Sequence, residues 1–179
     1  EAEGLTNSKL AAGMLFEPHP RRIEQSTREL WEADRILVPS DYVRDTVVKE
    51  GVPEERIVVL PYGVDVTRFR PGPADKNQGP TRLLFVGQVG LRKGIPFLLD
   101  AMARLKRPDI LLTLVGPVAG SHEALDRYEG LFHHIPQVPN HEIHRLYQES
   151  DIFVFPSLHE GSAFVLYEAL ASGLPVITT

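Results

Sequence analysis

Short, solidly apolar runs alternate with amphipathic stretches along most of the chain, a pattern that predicts a parallel sheet covered by helices. The runs predict strands over 35–38, 56–60, 83–86, 110–115, 131–135, 151–155 and 175–178. Nearly all of them lack polar alternation, as expected of strands buried on both faces. Helices begin at readable signals. One starts near Pro20. Ser40 is placed to cap a helix that carries Val43 and Val47 and ends at Gly51 in a left-handed C′ position. Pro96 suits a first helical turn, followed by the stripe Leu98, Met102 and Leu105. Asn140 is expected to cap a helix burying Ile143, Leu146 and Tyr147, and 163–172 reads as a last helix stopped by Gly173 and Pro175.

From Pro61 to Pro80 the periodicity gives way to prolines, glycines and the polar run Asp75-Lys76-Asn77-Gln78, which marks a domain boundary. Residues 1–20 are too irregular to assign. There is no initiator Met and the last residues read as a strand with no loop after it, so the chain is expected to be part of a longer protein.

With 42% hydrophobic and 24% charged residues, the 179-residue chain has the composition of a folded domain, which argues against disorder. A net charge of −5 leaves no overall basic field to gather nucleic acid. The absence of cysteine removes disulfides, thiolate nucleophiles and cysteine-ligated zinc, and suits a reducing compartment; the expectation is cytoplasmic. No apolar run approaches the roughly 20 residues needed to cross a bilayer, which leaves peripheral contact with a membrane open.

Two segments carry candidate chemistry. In Phe85-Val86-Gly87-Gln88-Val89-Gly90-Leu91-Arg92-Lys93-Gly94 a strand runs into a glycine-rich loop that opens a helix. Glycines let backbone amides approach a diphosphate, the helix start is partly positive, and Arg92 and Lys93 add full charges. A charge-assisted hydrogen bond contributes about 1.5–3 kcal/mol and a helix dipole about 0.3–1 kcal/mol, so the cations should dominate. The spacing is neither a Walker loop nor G-x-G-x-x-G, and an ordinary strand–helix turn with a solvated basic pair remains the bland alternative. In the second segment a strand ending at Phe155-Pro156-Ser157 delivers Glu160 to a small-residue loop, where open α/β sheets bind ligands. Gly161 and Ser162 offer amides near a helix start, and Glu168 on that helix can accept both hydroxyls of a ribose. Spacing alone is not the signal: Glu24 and Glu32 share the same offset inside a predicted helix and read as a solvated face. His133, His134, His141 and His144 are expected to be structural; only His159, beside Glu160, falls near the candidate site.

These residues together resemble the retaining glycosyltransferases of family 4, which have the two-lobed GT-B fold. The resemblance covers roughly residues 29–179. It rests on Ala33-Asp34 before a strand ending in Ser40, on Tyr62-Gly63-Val64-Asp65 followed by Phe69 and Pro71, and on Val86-Gly87 followed by Lys93-Gly94. Asp151 before Phe155-Pro156-Ser157, and Glu160 with Glu168 in an E-x7-E segment, complete it. It implies that Lys93 binds the donor diphosphate near Gly87, that Glu160 lies near the transferred sugar, and that Glu168 binds ribose. The backbone of Gly161, Ser162, Ala163 and Phe164 would contact sugar and phosphate. The usual Arg falls at Gln88, so Arg92 is the candidate second cation; Tyr62 and Ser162-Ala163 also depart from the pattern.

The resemblance implies an α/β chain of two pieces: 1–74, the end of an acceptor-side lobe, and 75–179, a truncated Rossmann-like lobe with helices on both faces of its parallel sheet. It implies transfer of a sugar from a UDP-, GDP- or ADP-linked donor to an unknown acceptor with retention of configuration. No Asp-x-Asp motif occurs, and neither metal nor cofactor is expected. The chain alone is expected to bind nucleotide weakly and turn over little. A noncatalytic nucleotide-sugar-binding module is the alternative; a hydrolase or epimerase lacks the catalytic acids it needs.

Overall fold

The computed structural model describes residues 20–72 and 79–179, Arg22 by its backbone alone. Residues 1–19 and 73–78, with the polar run Asp75–Gln78, lie outside the described residues. The chain forms two compact units. One is Phe16–Gly63 with Glu160–Ala163, described from Pro20, and the other contains Val64–His159 with Phe164–Thr179.

In the smaller unit, α1 (Pro20–Glu32), β1 (Ile36–Val38), α2 (Asp41–Lys49), a 3-10 turn (Glu54–Arg56) and β2 (Ile57–Val59) succeed one another. β1 and β2 pair in parallel, with Ile36 opposite Ile57 and Val38 opposite Val59. Ser40 caps α2 as expected, its Oγ accepting from the Val43 amide at 3.3 Å. The helix ends in a Schellman arrangement: Gly51 N–H donates to Val48 and Val52 N–H to Val47, with Gly51 at φ +93° and Val52 buried behind it. The Arg56 guanidinium closes the end of α1 by donating to the carbonyls of Trp31, at 3.0 Å, and of Ala33. Glu24 and Glu32 are exposed on α1, and Glu32 pairs with Arg28 at 3.6 Å, the solvated face that was expected. The strands are less enclosed than their sequences imply, since Leu37 and Val58 are well exposed on one face of this ribbon.

The larger unit is built on five parallel strands: β3 (Thr81–Val86), β4 (Ile110–Val115), β5 (His133–Ile135), β6 (Ile152–Phe155) and β7 (Val176–Thr178), in the order β5-β4-β3-β6-β7. Helices α3 (Ile95–Leu105), α4 (Glu123–Asp126), α5 (Ile143–Glu149) and α6 (Phe164–Ala171) connect them, a Rossmann-like α/β arrangement. All seven predicted strands are present: five are trimmed at their ends, 110–115 keeps its bounds, and the strand predicted over 83–86 begins two residues earlier, at Thr81. The core includes Leu84, Phe85, Leu114 and Phe153 on the central strands and Ile95, Leu98, Leu99 and Met102 of α3, all buried. Leu105, expected in that stripe, is exposed instead: the helix stops there and Lys106 turns left-handed at φ 48°.

Asn140 is not the cap of α5. The helix starts at Ile143, no side chain caps it at Glu142, and Asn140 Oδ1 accepts from Arg68 at 3.2 Å. That partner lies 72 positions away, beyond any local reading. The segment leading into the sheet is held similarly. Phe69 packs edge-on against Tyr147 with ring centroids 5.6 Å apart, and Gln148 donates to the Arg70 carbonyl.

Asp65 shapes the start of this segment, accepting from the Thr67 amide at 2.9 Å, the Thr67 hydroxyl at 2.6 Å and the Arg68 amide at 3.3 Å. Its carboxyl is held below the ordinary value, mainly by the Thr67 hydroxyl and then the Thr67 amide. A group whose folded pKa is lowered contributes stability in full above its unfolded value, about pH 4, and loses that contribution as pH falls through the lowered value. The wild type should therefore melt above Asp65→Asn at neutral pH, with the gap closing in acid. Melting curves across pH test this; a constant gap would show that the charge contributes nothing.

Candidate functional site

The sheet order reverses at β3. The chain steps outward through β4 to β5, then returns to place β6 on the other side of β3. Ligands of open α/β sheets sit beyond the strand C-termini at such a reversal, and there the loops after β3 and β6 run together.

The β3 loop is pinned by backbone bonds. Gly87 N–H donates to Val115, Val89 N–H to Pro117 and Ala119 N–H to Val89, so the loop continues as a bridge alongside the β4 loop. A single 3-10 turn, Leu91–Lys93, ends at Gly94, whose φ of +71° opens α3. The β6 loop packs directly on this turn: Leu158 N–H donates to the Arg92 carbonyl at 2.9 Å, and Ser157 Oγ lies 3.3 Å from the same oxygen. Lys93 Nζ rests 4.9 Å from the centroid of the buried Phe155 ring. Such a contact contributes about 0.5–1 kcal/mol and orients the ammonium. Arg92 is exposed, and its guanidinium donates to the His159 carbonyl at 3.4 Å.

A cleft of about 400 Å³ opens at the C-terminal edge of the sheet. Gly87 and Gln88 form one wall, Gly116 and Pro117 another, Gln137, Val138 and Asn140 a third, and Glu168 of α6 faces in. Gln88, not Arg92, thus borders it. The Gly116 carbonyl lies 2.8 Å from His134 Nε2, so this histidine supports the β4 loop as a structural residue. Glu168 is half-buried, and the fully buried Tyr147 donates to its Oε2 at 2.7 Å. Burial, reinforced by the Glu168 charge and by that hydrogen bond, pushes the Tyr147 phenol far above its usual range, so it remains a donor at any working pH. In outline the cleft offers apolar walls, amides and carbonyls for a flat heterocycle, and a fixed carboxylate for a diol.

The remaining expected site residues divide between the units. Phe164 opens α6 in the larger unit and is exposed. Glu160, Gly161, Ser162 and Ala163 pack with the smaller unit, where Ser40 Oγ donates to the Gly161 carbonyl at 2.6 Å and Val43 lies close enough to exclude a Cβ at Gly161. Among the described residues, no three His, Asp or Glu side chains gather as metal ligands, and no helix is long and apolar enough to cross a membrane. Tyr147 was legible in the sequence only as part of a buried helix face, not as a site residue. The available signal was its hydroxyl, which a buried tyrosine must satisfy.

A family model described as "Glycosyl transferases group 1" matches residues 67–179, and one described as "Glycosyltransferase Family 4" matches residues 8–68. The chain is 34% identical over 198 residues to a D-inositol 3-phosphate glycosyltransferase of Corynebacterium kroppenstedtii, covering 96% of this chain and 43% of that protein. It is similar to sucrose-phosphate synthase from Thermosynechococcus elongatus, with a TM-score of 0.74 and 26% identity over 90% of this chain and 44% of the other. It also shares the fold of Anabaena Alr3699/HepE, solved in complex with UDP-glucose, with a TM-score of 0.73 and 19% identity over 89% of this chain and 50% of that one. The chain spans less than half the length of the curated relatives it matches.

The loop geometry depends on Gly94. A Cβ there would lie 1.7 Å from the Pro156 carbonyl oxygen and 2.7 Å from its carbon, backbone atoms that cannot rotate away. Overpacking together with a strained φ should make Gly94→Ala cost about 3 kcal/mol. Gly90→Ala is the control: its φ of −176° suits any residue, and its Cβ would lie 3.0 Å from the Ala119 methyl and no nearer than 3.7 Å to the Ala119 backbone. Thermal melts compare the two, and a Gly94→Ala protein as stable as Gly90→Ala would rule out the close approach.

Proposed function

The chain belongs to the group 1 glycosyl transferases, and from that premise we propose that it forms the donor side of an enzyme moving a sugar from a nucleoside-diphosphate carrier to an acceptor with retention of anomeric configuration. One observation carries the donor reading: Gly87 and Glu168 border one cleft at the strand reversal, with Lys93 held on the turn beyond Gly87. In this reading the cleft takes the nucleoside. Glu168 accepts the ribose hydroxyls, Lys93 meets the diphosphate, and the α6 start with the backbone from Gly161 to Phe164 meets phosphate and sugar. Glu160 orients the sugar. Arg92 is the second cation in reserve.

As the bond from the anomeric carbon to the diphosphate breaks, negative charge grows on the leaving oxygens. A preorganised ammonium and helix amides favour that charge more than they favour the intact donor, which is how they lower the barrier. They stand where other enzymes use a metal ion, so transfer is proposed to proceed without one. The acceptor is proposed to bind outside these residues, and the 179-residue chain alone to bind nucleotide and turn over little.

Calorimetric titration with UDP, GDP and ADP tests the reading. UDP is the first choice, since the Anabaena structure of the same fold was solved with UDP-glucose. Lys93→Ala should weaken binding about tenfold or more, the loss of a charge-assisted contact. Glu168→Ala should do the same for nucleotides that carry a ribose. If neither substitution changes the affinity, the nucleotide binds elsewhere and the reading fails.

A further inference from the structure

We infer that Tyr147 is a positioning residue for donor recognition: its phenol holds the Glu168 carboxylate in the one orientation that receives a ribose diol. The inference rests on the proposed placement of ribose at Glu168. Tyr147 has no exposed surface, and its OH donates to Glu168 Oε2 at 2.7 Å. The ring itself is packed on two sides. It is wedged between Phe69, edge-on at 5.6 Å, and Phe153, tilted 30° at 5.5 Å.

Glutamate has three side-chain torsions, and one bordering a cleft samples several rotamers unless something fixes it. A donor mounted on a rigid aromatic stack fixes it, so the ordering is complete before nucleotide arrives and its entropic cost does not fall on binding. The bond occupies one lone pair of Oε2. Oε1 and the second lone pair of Oε2 stay available, and two acceptors are what adjacent hydroxyls need.

The test compares UDP with 2′,3′-dideoxy-UDP on the wild type, Tyr147→Phe and Glu168→Gln. The wild type should prefer the ribose form. Tyr147→Phe keeps the ring and should cut that preference about three- to tenfold while leaving the affinity for the dideoxy nucleotide unchanged. A merely structural role would weaken both nucleotides together, which overturns the inference. If Glu168→Gln abolishes the preference and Tyr147→Phe retains it, Glu168 binds ribose unaided and only this inference falls. If the wild type has no preference, or Glu168→Gln keeps it, the placement of ribose at Glu168 falls as well. Should Tyr147→Phe fail to fold, a 3-fluorotyrosine at position 147 reports in the intact protein through its 19F resonance. A shift with UDP that dideoxy-UDP does not produce supports the role, and identical responses overturn it.

Discussion

The C-terminal edge of the sheet in the larger unit depends on β3 having neighbours on both sides and on two loops leaving that central position with almost no space between them. Gly94 and the Pro156 carbonyl approach so closely that no side chain fits at Gly94. That approach sets the 3-10 turn that carries Arg92 and Lys93, the bonds from Leu158 and Ser157 back to the Arg92 carbonyl, and the abrupt start of α3. Side chains decorate this edge. Backbone proximity builds it.

A second constraint runs through the aromatic rings. Phe85 stacks on Phe155 at 6.0 Å and Phe155 on Phe153 at 6.0 Å, Phe153 lies tilted against Tyr147, and Tyr147 meets Phe69 edge-on. The series passes under Lys93 at Phe155 and ends at Phe69 in the segment entering the sheet. It touches both groups of the proposed donor site: the ring of Phe155 supports the Lys93 ammonium, and the hydroxyl of Tyr147 holds the Glu168 carboxylate. Charged groups on a mobile surface lose much of their binding free energy to ordering. Here a packed core does the ordering, which links the stability of the fold to the electrostatics of the site.

The strands were legible because unbroken apolar runs such as 83–86 and 152–155 have few other ways to be buried. The α2 ends were legible because capping by Ser40 and termination at Gly51 are local interactions, complete within a few residues. Gly87, Lys93 and Glu168 stood out for the residue types around them, a glycine-rich loop after a strand and a carboxylate on the helix after the next loop. The start of α5 was misplaced because Asn140 meets Arg68, and the burial of Leu105 because the left-handed turn at Lys106 ends the helix before the stripe can continue.

The sequence by itself determined the alternation of elements, the α/β class and the candidate residues, since periodicity, caps and turn chemistry act between near neighbours. The tertiary structure alone decided which strands adjoin β3, that Gln88 rather than Arg92 borders the cleft, and that Tyr147 reaches Glu168 across 21 positions. It also packed Glu160–Ala163 beside Ser40 of the smaller unit. The physical reason is common to all four. A hydrogen bond or a ring contact between distant segments depends on where the sheet places them, and strand order leaves no local mark on the residues it brings together.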